Sequence, residues 1–217
     1  MSGKRKPMLN FEEYLAFERK VIDRHEFLDG QIYARAGESL SHSTICANLT
    51  GELHTQLKGK PCRTLSLNMK VRSGPYLVGS RMTKGMFSYA DATVVCDQPL
   101  FHDEHQDVLL NPRVLFEVLS PSTENFDRGE KFHRYARHLA SLTDYVLISQ
   151  NQPMVEHFHR QEDGTWIYRV ITGLTEFLEL PTIDCWIQLS DLYDRIEFPP
   201  AEEDLDDSEL EDTIEPS

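Results

Sequence analysis

Two carboxylates and a lysine stand in positions where a soluble domain has little structural use for them. Glu117 lies in the middle of Val114 to Leu119, an apolar run of β-branched and aromatic residues closed by Ser120 and Pro121 that reads as a buried strand. A carboxylate taken into such a strand costs several kcal/mol unless hydrogen bonds or a cation offset the lost water. Asp91 interrupts a second apolar strand, Tyr89 to Cys96, and Lys131 lies early in the helical pattern after the Glu117 strand. Two strand carboxylates with a helix-borne lysine can hold a divalent metal against a phosphate. Each residue also has an ordinary alternative. Glu117 can be satisfied by hydroxyls or an arginine, and Asp91 can be a turn or cap residue. Lys131 can form a helix pair with Asp127, worth only about 0.2–0.5 kcal/mol.

The surrounding elements follow from local signals. Asn10 and Glu13 form a capping-box pattern for a short helix carrying Phe11, Tyr14 and Leu15. Two extended runs between His25 and Ala36 flank Asp29-Gly30, a hairpin dipeptide, and Glu26 lies in the first. Ser41 can cap a longer helix whose Ile45, Leu49, Leu53 and Leu57 recur every fourth residue until Gly59 and Pro61 end it. Cys62 to Ser66 and Leu67 to Arg72 read as extended, followed by a glycine-rich loop and the Asp91 strand. A polar loop, 97 to 112, precedes the Glu117 strand. A helix from roughly Phe126 to Leu139 buries Phe132, Tyr135 and Leu139, and Tyr145 to Ser149 returns to the sheet. Met154 to Arg160 and Trp166 to Thr172 flank Asp163-Gly164 as a C-terminal hairpin, and Ile183 to Ile187 adds a further strand.

At 217 residues with 40% hydrophobic content the chain suits one domain, residues 10–198, between a disordered N-terminus, 1–9, and a disordered acidic tail, 199–217. No apolar run approaches membrane-spanning length and no export signal is recognisable, so a cytoplasmic protein without membrane partners is expected. Cys46, Cys62, Cys96 and Cys185 lie far apart without paired ligand spacing, which predicts reduced core thiols. The net charge of −14 at first argues against nucleic acid. Nine of the 36 acidic residues, however, fall between Glu202 and Glu215, leaving 27 against 22 basic residues before the tail. No acidic residue occurs between Glu52 and Asp91, where Lys58, Lys60, Arg63, Lys70, Arg72, Arg81 and Lys84 fall. That stretch is either a phosphate-facing surface or an ordinary solvated one whose balancing acids come from elsewhere.

The motifs together resemble the Uma-two family. They are Glu26 in His-Glu-Phe-Leu-Asp-Gly, His42, Tyr-Ala-Asp at 89–91, Phe-Glu-Val-Leu-Ser-Pro-Ser-Thr at 116–123 and Asp-Arg-Gly-Glu-Lys-Phe at 127–132. The similarity continues through Leu-Ile-Ser-Gln at 147–150, Val-Glu-His-Phe at 155–158 and Asp-Leu-Tyr at 191–193. The resemblance implies an α/β, restriction-endonuclease-like fold of the PD-(D/E)XK nuclease type, with a mixed β-sheet core flanked by helices and an added C-terminal hairpin. It further implies a magnesium- or manganese-dependent endonuclease acting on DNA. Asp91 and Glu117 are then the metal ligands, Lys131 the active-site lysine and Glu26 a supporting carboxylate. His42, Lys70, Arg72, Arg81, Lys84 and Arg128 are candidates for substrate contact, and Gln150 for positioning.

Two departures matter. Ala90 replaces the motif's proline before Asp91, and Leu119 stands two residues after Glu117 where the motif has lysine. Side chains two apart on a strand share a face, so Lys131 must supply the amine from the helix instead. A catalytically silent member of the fold that binds nucleic acid or protein is the competing expectation, and an interaction protein acting through its acidic tail is a third. Many nucleases of this fold are dimers, so a homodimer is also in view, although no coiled-coil signal accompanies it.

Overall fold

The computed structural model describes residues 8–35, 37–75 and 83–199. Residues 1–7, Arg81 and the tail from residue 200 lie outside them. In chain order the elements are α1 (Phe11–Glu18), β1 (His25–Leu28), β2 (Gln31–Ala34), α2 (Leu40–Leu57), β3 (Cys62–Leu65), β4 (Lys70–Ser73), β5 (Met86–Tyr89) and β6 (Ala92–Cys96). There follow β7 (Val108–Leu109), β8 (Val114–Val118), α3 (Glu124–Phe126), a π-helical turn (Asp127–Lys131), α4 (Phe132–His138), β9 (Asp144–Ile148) and β10 (Met154–Arg160). β11 (Trp166–Thr172), β12 (Phe177–Leu180), a 3-10 turn (Pro181–Ile183), β13 (Cys185–Gln188) and α5 (Leu189–Leu192) complete the domain.

Six strands form the larger sheet in the order β11-β10-β9-β8-β6-β3, and five form a second in the order β2-β1-β5-β4-β7. β8 and β9 are parallel, which requires a crossover, and α3, the π turn and α4 supply it. The β12–β13 hairpin makes a separate two-stranded sheet. The architecture is therefore the expected mixed α/β core flanked by helices with an additional C-terminal hairpin.

Alternation along the larger sheet divides the core. Val114, Phe116 and Val118 of β8 pack with Val146 and Ile148 of β9 against α2 and the β12–β13 hairpin. Leu115 and Leu119 point the other way with Tyr145 and Leu147, toward Phe132 and Tyr135 of α4. Glu117 shares this second face by the strand's period of two. A third cluster joins Phe11 and Tyr14 of α1 to Phe27 and Phe87 of the smaller sheet.

Several local expectations hold in detail. Asn10 and Glu13 cap α1 reciprocally, each bond 2.9 Å. β1 and β2 turn through Asp29 and Gly30 at positive φ, 47° and 92°. Others change. Ser39, not Ser41, caps α2, because its extended backbone lets its hydroxyl accept the His42 N–H while Ser41 is already helical. The loop from 97 to 112 contains β7, paired parallel to β4, too short to leave a periodic signature. Asp91 does not sit within one strand: β5 and β6 on either side of it belong to different sheets.

The cysteine expectation is also corrected. Cys62 and Cys96 form a disulfide, whereas Cys46 and Cys185 are free and buried. Their 34-residue separation carries no sequence signal, but antiparallel β3–β6 pairing sets them directly opposite each other with Cα atoms 3.9 Å apart.

Candidate active site

Asp91 occupies the seam where the chain leaves the smaller sheet and enters the larger one. Its own N–H donates to the Phe116 carbonyl at 3.0 Å, which lays it alongside β8. The carboxylate is then gripped from three directions. Arg35, just after β2, donates to Oδ1 at 2.5 Å, the Val118 N–H donates to Oδ2 at 2.8 Å, and His42 Nε2 lies 3.2 Å from Oδ2. Burial raises the Asp91 carboxyl, but the His42 hydrogen bond and the Arg35 charge outweigh it and bring the pKa down to about 2. Burial likewise works against a charged His42, and Asp91 reverses it, leaving the imidazole raised.

Glu117 lies one residue beyond the Phe116–Ala92 pair, which sets it level with Asp91 along β8. It is only 2% exposed. Lys131 reaches it from the π turn, with Nζ 2.8 Å from Glu117 Oε1, 3.1 Å from Asp127 Oδ1 and 4.0 Å from Glu26 Oε1. The Tyr145 hydroxyl donates to the Asp127 carbonyl at 3.0 Å, tying the widened turn to β9. Such single-turn π segments concentrate at functional sites because they re-aim one side chain within a helix. The sequence places a lysine on that turn, and the fold brings its amine to the strand glutamate.

Lys131 is thus the close charged partner of Glu117 Oε1, deep in the protein where both side chains are buried. Burial pushes the Glu117 carboxyl well up, Lys131 opposes this, and the neighbouring Asp127 and Asp91 charges add to it. Lys131 is driven the other way: burial disfavours its charge, yet Glu117, Asp127 and Glu26 together hold it as an ammonium. Four carboxylates, Asp91, Glu117, Asp127 and Glu26, thus surround two permanent cations, Lys131 and Arg35, and one titratable imidazole, His42. The donor set is rich in hard oxygen and short of positive charge, which fits a divalent cation of the magnesium type. His42, Cys46 and Asp91 also bring ligand atoms within 4.8 Å of one another. Burial raises the Cys46 thiol, keeping it protonated and a poor ligand for a hard ion.

A family model described as "Putative restriction endonuclease" matches residues 11–190. The chain belongs to the Uma2 family. The resemblance carried by the Asp91, Glu117 and Lys131 motifs is thereby borne out. Similar sequences include two from Synechocystis, each described as an "Uncharacterized protein". One is 33% identical, covering 88% of this chain and 95% of its own. The other is 30% identical, covering 76% and 89%. A crystal structure from Anabaena variabilis described as a "putative nuclease" superposes with a TM-score of 0.68 at 16% identity, covering 85% of this chain and 97% of that one. The likeness shows that the two chains share a fold.

The remaining candidates in this Uma2 chain separate by what they touch. Glu26 joins the site from β1, its carboxylate accepting the N–H of Tyr89 on the neighbouring β5 at 3.0 Å, two residues before Asp91. Lys70 and Arg72, expected to face substrate, make contacts within the domain. Both are 6% exposed. Lys70 pairs with Asp107 at 3.0 Å, and Arg72 bonds His102 and the Pro75 carbonyl with its guanidinium over the Phe11 ring. Arg128 is held by Glu124 and Glu156. Lys84 is exposed, with Nζ 3.9 Å from Asp29. Gln150 donates to the Leu119 carbonyl and accepts from Ser39, bracing the α2 N-terminus against the end of β8. Sequence reasoning missed Arg35. A lone arginine after a hairpin carries no spacing signal, and only the fold brings it to Asp91.

Proposed function

We propose that the protein is a metal-dependent endonuclease that hydrolyses phosphodiester bonds of DNA. The observation that carries this reading is Glu117: buried in an apolar strand, ion-paired with a lysine 2.8 Å away and set one residue beyond the Phe116–Ala92 pair, level with Asp91, in a chain of the Uma2 family. Asp91 and Glu117 are the residues that would hold Mg²⁺ or Mn²⁺. Bound there, the cation supplies a water of lowered pKa and neutralises charge on the phosphoryl oxygens.

The chain's own groups prepare that chemistry. Arg35, His42 and the Val118 N–H keep Asp91 ionised and fix its orientation, as outer groups around metal ligands do. Lys131, held charged by three carboxylates, sets an ammonium beside Glu117, where it orients the attacking water or stabilises negative charge on the phosphate. Asp127 positions Lys131 in turn.

The test is calorimetric titration of Mg²⁺ and Mn²⁺ into the wild type and Glu117→Ala, with plasmid nicking assayed on the same samples. Binding and nicking that both vanish in the variant support the proposal. Absence of metal binding in the wild type removes it and favours a catalytically silent fold that binds nucleic acid or protein.

A further inference from the structure

The larger sheet carries a second group of ligand-bearing side chains on its opposite face and at its opposite end. Asp144 opens β9 opposite Val114, whereas Glu117 pairs three residues further along with Leu147, roughly 10 Å up the strand. Asp144, Val146 and Ile148 alternate with Tyr145 and Leu147, so Asp144 faces the α2 side and Glu117 the α4 side. β10 lies antiparallel to β9, with His159 opposite Asp144 and His157 opposite Val146, which puts both imidazoles on the Asp144 face.

The three side chains converge tightly. His157 Nε2 and His159 Nδ1 each lie 2.8 Å from the same oxygen, Asp144 Oδ1. Ligand atoms of all three fall within 4.8 Å of one another. The other oxygen, Oδ2, accepts the hydroxyls of Thr143 and Thr182, at 2.7 Å and 2.5 Å. Those hydroxyls fix the plane of the carboxylate and leave Oδ1 directed at the histidines, the arrangement by which outer hydrogen bonds orient a ligating carboxylate. Asp144 is fully buried and His157 nearly so, while His159 is one-third exposed. A cavity of about 270 Å³ opens beside the imidazoles, lined by His157, His159, Gln161, Arg169 and Glu179 among others.

We infer that Asp144, His157 and His159 form a binding site for a Zn²⁺-type transition-metal ion, distinct from the carboxylate site at Glu117. Two imidazoles and one carboxylate match the ligand preference of zinc, and three protein ligands leave a fourth position for water or a small anionic ligand. The magnesium-type site offers hard oxygens and this one nitrogen, so the two select different ions. On binding, each histidine turns the lone pair of its Asp144-facing nitrogen to the metal, and its ring proton resides on the other nitrogen.

The test distinguishes a metal site from a purely hydrogen-bonded cluster. His157→Gln and His159→Asn each keep an amide donor near the position of the nitrogen that faces Asp144, but remove the imidazole ligand. Zn²⁺ is titrated calorimetrically into full-length protein carrying His42→Ala, which eliminates the separate His42, Cys46 and Asp91 group. The same protein is then measured with both amide substitutions added, and Co²⁺ absorption in the visible reports coordination geometry. One equivalent bound with a tetrahedral or five-coordinate Co²⁺ spectrum, lost in the combined variant while its circular dichroism and Tm remain near those of the parent, is the expected result. No binding to the His42→Ala protein, or an isotherm unchanged by the two amides, overturns the assignment.

Discussion

Glu117→Gln separates a metal ligand from a structural ion pair, because the surrounding charges make opposite demands in the two cases. Breaking a buried ion pair usually costs about 3–5 kcal/mol, since the partner is left as an uncompensated charge. Lys131 is not left so: Asp127 remains 3.1 Å from its ammonium and Glu26 4.0 Å. What the glutamine removes is a carboxylate that burial and the charges of Asp127 and Asp91 already disfavour. The expected change in stability of the metal-free protein is therefore within about 1 kcal/mol of zero or stabilising. Metal should act oppositely on the two proteins. At a Mg²⁺ or Mn²⁺ concentration one hundred times Kd, the wild type gains about 2.7 kcal/mol. For a chain of this length that is a rise in Tm of roughly 5–11 °C, and Glu117→Gln should show none. Urea unfolding without metal, followed by calorimetric scans with and without it, measures both halves. A loss of about 3 kcal/mol or more in the metal-free variant, or an equal metal-induced rise in both proteins, would falsify the view that Glu117 is kept for the cation.

Three further perturbations probe the scaffold. Asp107 is drawn down to about 2 against its burial by hydrogen bonds from Arg19 and Lys70, so its contribution is complete above the ordinary carboxylate range and lost as pH falls toward 2. Asp107→Asn should cost about 1–2 kcal/mol at pH 7, allowing for solvent screening, with the difference from wild type closing between pH 4 and 2 in a pH series of urea melts; a pH-independent difference contradicts the assignment. Cys62→Ser should lower stability by about 3–4 kcal/mol through the 34-residue separation it unlinks, and reducing agent should mimic it in the wild type alone, a comparison that fails if the reductant is without effect. Asn10→Ala should cost about 1 kcal/mol and loosen α1, read from urea melts and from faster amide exchange at Glu13; unchanged protection there would show that the cap contributes little.

Local chemistry was readable in the chain where one residue or a short pattern determines the backbone. Asn10 with Glu13 specifies a helix start, Asp29-Gly30 and Asp163-Gly164 specify turns, and alternation in β8 marks Glu117 as an inward carboxylate. Lys131 was identifiable as a candidate, but its approach to Glu117 depends on a π turn that has no sequence periodicity. Long-range pairing was not readable. Nothing near Arg35 indicates Asp91, nothing in cysteine spacing indicates the β3–β6 register, and nothing in a basic run shows that Lys70 and Arg72 point inward to Asp107 and His102. Charge in a sequence is counted without direction, and direction comes from the sheet.

The seam at Asp91 has a kinetic consequence. Glu26 belongs to the smaller sheet, Glu117 to the larger one, and Asp91 to the junction, so neither sheet alone contains the acidic group. Contacts such as Lys131 with Glu26, and Asp91 with Val118, join positions 105 and 27 residues apart. Loop closure makes contacts of such separation late arrivals in folding. During refolding, secondary structure and much of each hydrophobic layer should therefore form before the carboxylates meet. Metal affinity then becomes a clock for the final docking of the two sheets, returning after the circular dichroism signal has already recovered.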